Sequence, residues 1–210
     1  FFYDDVFCLK LDWLVKFKAL YKKHFPNTPY ICLLRPEMAK DERRMKLLSE
    51  SGCMEVHMGV ESGSYKYRTT MLGRHMSNEV ILRACDNLKK YNMRITTFLM
   101  VGMPDESCLD MLKSLVFIWK IRPTGMQTGI FYPLKGTPSY DYCAKNNLIN
   151  WKKRKELVVY TYDTSLNVGF LKRYFIILCK WLLSGIPILA HFDFQLIPKF
   201  FKIQYRLWFQ

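Results

Sequence analysis

No two of the seven cysteines (Cys8, Cys32, Cys53, Cys85, Cys108, Cys143 and Cys179) lie closer together than Cys32 and Cys53. That excludes a CxxC pair and every other short metal-ligand spacing within this sequence. An odd number of scattered thiols, with no signal peptide ahead of them, reads as reduced cysteine in a cytoplasmic protein. The GxGxxG turn of a dinucleotide fold is missing. So is any uncharged apolar run approaching the roughly 20 residues of a membrane-spanning helix. There is no HxH pair and no lysine inside a strand run, which removes the usual marks of a metal-dependent or Schiff-base barrel enzyme. Acidic residues are scarce, 18 against 32 Lys plus Arg, and the net charge of +14 points to an anionic partner. Glycine (10) and proline (9) are too few, and apolar residues at 50% too many, for a disordered or low-complexity chain. The 210 residues suffice for one domain with a sizeable core. The first residue is Phe1, inside what reads as a strand, so we expect a fragment that lacks its N-terminal part.

What is present alternates. Phe1 to Phe7 reads as an aromatic strand ending near Asp4 and Asp5. A helix follows with Trp13, Leu14, Phe17, Leu20 and Tyr21 at helical spacing. Pro29 to Leu34 predicts a short strand, and a charged helix runs from Asp41 to a C-cap at Gly52. Met54 to Val60 predicts a strand that delivers Glu61-Ser62-Gly63-Ser64. Ser77 is placed to cap a helix with Val80, Ile81, Ala84, Cys85 and Leu88 on its buried side. Ile95 to Val101 and Met126 to Tyr132 predict two more strands, separated by a helix carrying Cys108, Met111, Leu112, Leu115, Val116 and Trp119. Five strand–helix steps in this order predict a parallel α/β sheet, barrel-like rather than doubly wound.

In such folds functional groups sit where strands hand over to helices. Those ends carry Asp4, Asp5, Arg35, Glu61, Ser62, Gly102 and the Tyr132 loop. Strand ends are also polar simply because water reaches them. Glu61 suits two hydroxyl hydrogen bonds, Arg74 a carboxylate, and Gly102 the close approach of a flat ligand. Arg35 reads as an ion-pair partner or a ligand contact, and His57 as a packed core residue.

The ordered motifs Phe2-Tyr3-Asp4-Asp5-Val6-Phe7, Gly59-Val60-Glu61-Ser62-Gly63-Ser64, Met71-Leu72-Gly73-Arg74, Val101-Gly102-Met103-Pro104-Asp105-Glu106 and Pro133-Leu134-Lys135-Gly136-Thr137 resemble the radical S-adenosylmethionine superfamily. The subgroup they resemble most carries an N-terminal cobalamin-binding domain. The resemblance spans Phe1 to Tyr142 and implies a partial TIM-type (β/α)6 barrel, with strands two to six present. It implies a core domain over residues 1–142 and a helical, basic and aromatic extension over 143–210. It further implies that Asp4 and Asp5 receive the methionine ammonium of S-adenosylmethionine, and that Glu61 with Ser62 holds its ribose. Arg74, or Arg35, meets its carboxylate, and backbone near Gly102, Met103 and Tyr132 holds the adenine. The family's CxxxCxxC loop, which ligates a 4Fe–4S cluster, is absent, so no metal ligand is assigned in this chain. The expected function is a fragment of a radical enzyme acting on a small-molecule substrate, inactive without the missing segment of the same protein. Cobalamin-dependent methyl transfer is the expected reaction if that segment holds a cobalamin domain.

Residues 151–210 hold ten Lys or Arg against three acids. Leu171, Tyr174, Phe175, Leu178 and Leu182 mark an apolar side of a helix, with Pro187 interrupting the run. We expect a cap on the barrel that also touches an anionic membrane peripherally. The competing function is a non-catalytic adaptor that binds RNA or anionic lipid through Tyr174, Phe175, Trp181, Phe200, Phe201, Tyr205 and Trp208.

Overall fold

Apolar strand runs and capped amphipathic helices alternate along the computed structural model, which describes residues 1–7, 10–157 and 162–191. Helix α1 (Leu11–His24) precedes strand β1 (Tyr30–Leu33), and the short α2 (Pro36–Ala39) leads into α3 (Glu42–Ser51). Asp41 Oδ1 accepts from the Arg43 N–H at 3.1 Å, and Gly52, at φ 105°, closes α3 in the left-handed region. Strand β2 (Cys53–Glu61) is followed by α4 (Tyr65–Thr70) and α5 (Asn78–Lys90), the latter capped by the Ser77 hydroxyl on the Val80 N–H. Strand β3 (Arg94–Val101), helix α6 (Cys108–Ile121) and strand β4 (Gly125–Ile130) complete the alternation. Helices α7 (Pro138–Lys145), α8 (Trp151–Glu156) and α9 (Phe170–His191) end the described chain.

The four strands are parallel and lie in chain order, with Cys32 beside Val56, Val56 beside Ile95 and Phe98 beside Gln127. One side of the sheet is wholly covered: Val56, Met58 and Val60 share a buried cluster with Met45, Leu48, Ile81, Leu88 and Ile118. The alternate residues Glu55, His57, Gly59 and Glu61 are only partly buried and face the open, inner side. This is the partial barrel expected from the sequence.

Three expectations need correction. Phe1 to Phe7 is not a full strand. Phe2 makes a single parallel bridge to Cys32, its N–H reaching the Ile31 carbonyl, and a turn over 5–7 intervenes before the Phe7 N–H reaches the Leu33 carbonyl. Asp4 and Asp5, both exposed, stand where the extended backbone gives way to that turn. Pro187 does not interrupt the final helix, since α9 runs through it to His191. The side of α9 that packs is also not the one the spacing singled out. Ile176, Cys179, Leu183 and Ile186 enter the main core, while Leu171, Tyr174, Leu178 and Leu182 stay exposed and Phe175 is half-buried.

Packing runs across residue 142. Cys143, Ile149 and Leu166 share one cluster with Tyr67, Met103 and Phe131, and α9 belongs to the main core. Cys8, Phe200, Phe201, Tyr205 and Trp208 lie outside the described residues.

Candidate functional site

At the C-terminal end of β2 the chain turns through Glu61, held at φ 67°, a backbone region uncommon for a residue with a side chain. The irregularity follows from a register shift between Gly59 and Glu61 against β3. It carries the Glu61 carboxylate back over Gly59, where Oε1 pairs with Arg74 Nη1 at 3.2 Å. A Cβ on Gly59 would stand 2.5 Å from that oxygen and 2.8 Å from that nitrogen, so only glycine leaves room for the pair. Burial pushes the Glu61 carboxyl above its ordinary value, and Arg74 opposes the shift. The two residues assigned separately to ribose and carboxylate are therefore partners.

Glu61 stands at one end of a cavity of about 310 Å³, whose other walls are Phe98, Leu99, Met100, Gln127, Gly129, Ile130, Tyr132 and Leu134. A Cβ at Gly129 would meet nothing within 4 Å, so that glycine leaves the wall open. Tyr132 is fixed by its hydroxyl, which donates to the Arg154 carbonyl at 3.1 Å, and by the Arg154 guanidinium over its ring. The cavity is apolar with one carboxylate in its lining, a form that suits a largely apolar ligand held by few polar groups.

The remaining predicted site residues are placed as follows. Asp4 and Asp5 are exposed near the start of the sheet, and Arg35 pairs with Glu37 at 3.2 Å beyond β1. Ser62 is fully buried, and its hydroxyl accepts from the Ser64 N–H at 3.1 Å, so it shapes the loop rather than the cavity. Gly63 is required by packing, since a Cβ there would lie 2.5 Å from the Ser114 Cα of α6. Gly102, at φ 74°, faces Ile176 of α9, whose Cγ2 would be 2.9 Å from an added Cβ. Met103 is buried in the second cluster. Of the predicted set, Glu61, Arg74 and Tyr132 come together.

Sequence reading missed two buried charged residues behind this site. Arg68, with no exposed surface, donates from Nη1 to the Ser62 carbonyl and from Nε and Nη2 to the Met76 carbonyl (3.2 and 3.0 Å). It staples the loop after β2 to the start of α5, and burial lowers its pKa to about 10. Glu106 accepts from the N–H groups of Gly102 (2.7 Å) and Met103 (3.0 Å) through Oε2, while Oε1 is buried without a partner. Lower on the inner wall, His57 Nε2 meets Glu55 Oε1 at 3.0 Å, and Glu55 also accepts from Thr96 and pairs with Arg94. The inner-wall residues Phe98, Met100 and Gln127 were within reach of the sequence, because strand alternation puts them on the side of Glu61.

Among the described residues no group of three or more His, Cys, Asp or Glu side chains could hold a metal ion. Burial drives the Cys85 and Cys179 thiols up to about 12, away from the thiolate form a cluster requires. The described thiols do not fit a 4Fe–4S cluster.

Residues 2–118 match the family model described as Radical SAM superfamily. An uncharacterized methyltransferase of Pyrococcus horikoshii is 25% identical over 155 residues, 72% of this chain and 33% of that protein. The tRNA-2-methylthio-N(6)-dimethylallyladenosine synthase of Clostridium tetani is 31% identical over 91 residues, 42% of this chain and 20% of that protein. This chain thus spans a third or less of the length of these curated relatives. Among solved structures, the radical S-adenosylmethionine methyltransferase TsrM of Kitasatospora setae, with cobalamin and a 4Fe–4S cluster bound, superposes with a TM-score of 0.59 at 16% identity, covering 68% of this chain and 29% of that one. Coproporphyrinogen III oxidase (HemN) of Escherichia coli, a radical SAM enzyme, gives 0.58 at 13% identity, covering 81% and 36%. At these identities the structural likenesses speak for the fold.

Proposed function

Since this chain belongs to the radical SAM superfamily, we propose that it forms the S-adenosylmethionine-holding wall of a radical methyltransferase. The observation that carries the reading is the cavity itself: an apolar slot beside Gly129 with the Glu61 carboxylate at its edge. Glu61 Oε2 has no partner among the described residues and is free to accept ribose hydroxyls, while Arg74 keeps Oε1 oriented. Phe98, Met100 and Leu134 supply apolar walls for the adenine, and Tyr132 closes one side. Asp4 and Asp5, which flank β1 one strand away from Glu61, would meet the ammonium of the methionine part. The cluster would supply the electron in this superfamily's chemistry, and the described thiols of this chain do not fit its ligands. Methyl transfer is supported by the P. horikoshii relative, and cobalamin by the likeness to TsrM, in which it is bound.

The test is calorimetric titration of S-adenosylmethionine into the whole protein. Glu61→Gln is expected to weaken binding by about 1–3 kcal/mol, the cost of charge-assisted hydrogen bonds. Gly129→Leu, which fills the slot without a backbone clash, is expected to abolish binding while leaving the circular dichroism unchanged. Wild-type affinity in both variants would move the ligand out of this cavity.

A further inference from the structure

Helix α9 has a second side that the barrel does not use. Ile176, Cys179, Leu183 and Ile186 are buried, whereas Leu171 (83% exposed), Tyr174, Leu178, Trp181 (61%), Leu182 and Ile188 face outward. None of these six carries a charge. Two cations of the helix have partners: Arg173 binds Asp163 through Nε at 2.8 Å and Nη2 at 2.6 Å, and the Lys180 ammonium sits 4.4 Å from the Tyr162 ring centroid. An uncharged apolar side of this extent on a strongly charged protein marks a surface that something covers.

Charge decides what covers it. A second copy would bring another +14 against the first, which opposes self-association. Directly after α9, residues 192–210 hold Lys199, Lys202 and Arg206 against Asp193 alone, interleaved with Phe192, Phe194, Phe200, Phe201, Tyr205, Trp208 and Phe209. An apolar side continued by basic and aromatic sequence complements an anionic lipid surface, into which aromatic rings and aliphatic side chains insert while cations stay at the headgroups. The Tyr162 ring stacked on Trp181, with Lys180 beside it, places aromatic and cationic groups together at the rim of this side. Among the described residues no helix is long and apolar enough to cross a membrane, so the fit is with a helix lying along one. We propose that the outward side of α9 is a docking face for an anionic bilayer, on which the protein rests peripherally.

The whole protein is floated on a density gradient with phosphatidylcholine vesicles, with and without phosphatidylserine, at low and high salt. Wild type is expected to rise with the anionic vesicles and to do so several-fold less at high salt. Leu178→Glu and Trp181→Glu change only solvated positions and are expected to lower binding at least tenfold, as loss of one inserted apolar side chain predicts. Tyr174→Ser gives the same reading without adding charge, and each variant is accepted only if its circular dichroism and S-adenosylmethionine affinity match wild type. Flotation that is equal in wild type and variants overturns the proposal. So does absence of flotation, or a dimer in sedimentation velocity that Leu178→Glu dissociates while vesicle binding is nil.

Discussion

Glu106 has no exposed surface, and its two oxygens are treated differently: Oε2 takes two backbone N–H groups and Oε1 takes none. Burial pushes its pKa up to about 7, the hydrogen bonds from Met103 and Gly102 opposing the rise. The folded protein therefore binds this proton more tightly than the unfolded chain, whose value is 4.5. The contribution of this group to stability is greatest below 4.5, declines as pH rises from there to about 7, and is flat above, a loss of up to about 3 kcal/mol. Glu106→Gln keeps the acceptor for both N–H groups and removes the ionisation. By calorimetry it should match wild type near pH 5, unfold at a higher temperature near pH 8, and show a flatter pH profile. An undiminished slope in the variant would place the titrating group elsewhere. Nothing in Gly102-Met103-Pro104-Asp105-Glu106 announces this burial, since an acid after a strand reads as a solvated turn. Ile176 and Cys179, which close that end of the sheet, come from far along the chain. Glu61 was legible for the opposite reason: its position at a strand end is a local property.

At the scale of single elements, α9 and α5 make an instructive pair. Helix α5 was read correctly because only one side is apolar, and Ile81, Ala84, Cys85 and Leu88 are the residues it buries. Helix α9 is apolar nearly all round, so two stripes have equal claim by spacing and hydrophobicity cannot choose. The stripe that packs is the one whose Ile176 fits against Gly102. That contact can be measured. Gly102→Ala adds a Cβ 2.9 Å from Ile176 Cγ2 and forces alanine to φ 74°, and should cost about 2–4 kcal/mol in urea unfolding. Ile176→Ala removes the clashing atoms but leaves the backbone strain. The double variant should therefore be more stable than the sum of the singles by about 1 kcal/mol or more. Simple additivity would show that helix and turn do not touch.

For the molecule as a whole, the order of strands and helices was readable from alternation, while the extent of the fold was not. The family motifs end near Tyr142, but the packing continues, because Met103, Phe131 and Tyr67 are sealed by Cys143, Ile149 and Leu166. A chain stopped after residue 142 would leave that cluster and the α9 side of β4 open. It should show no cooperative thermal transition and should aggregate. A transition with the full chain's midpoint would make residues 143–210 an appendage. The same contacts have a consequence for biosynthesis. Spatial order β1-β2-β3-β4 repeats the order of translation, so each strand leaving the ribosome finds its neighbour already made. Helix α9, translated after the whole sheet, must return to β3, β4 and α6. Until it arrives, Gly102 and Glu106 remain wet, and the nascent sheet is held with its ionisable turn still open to water.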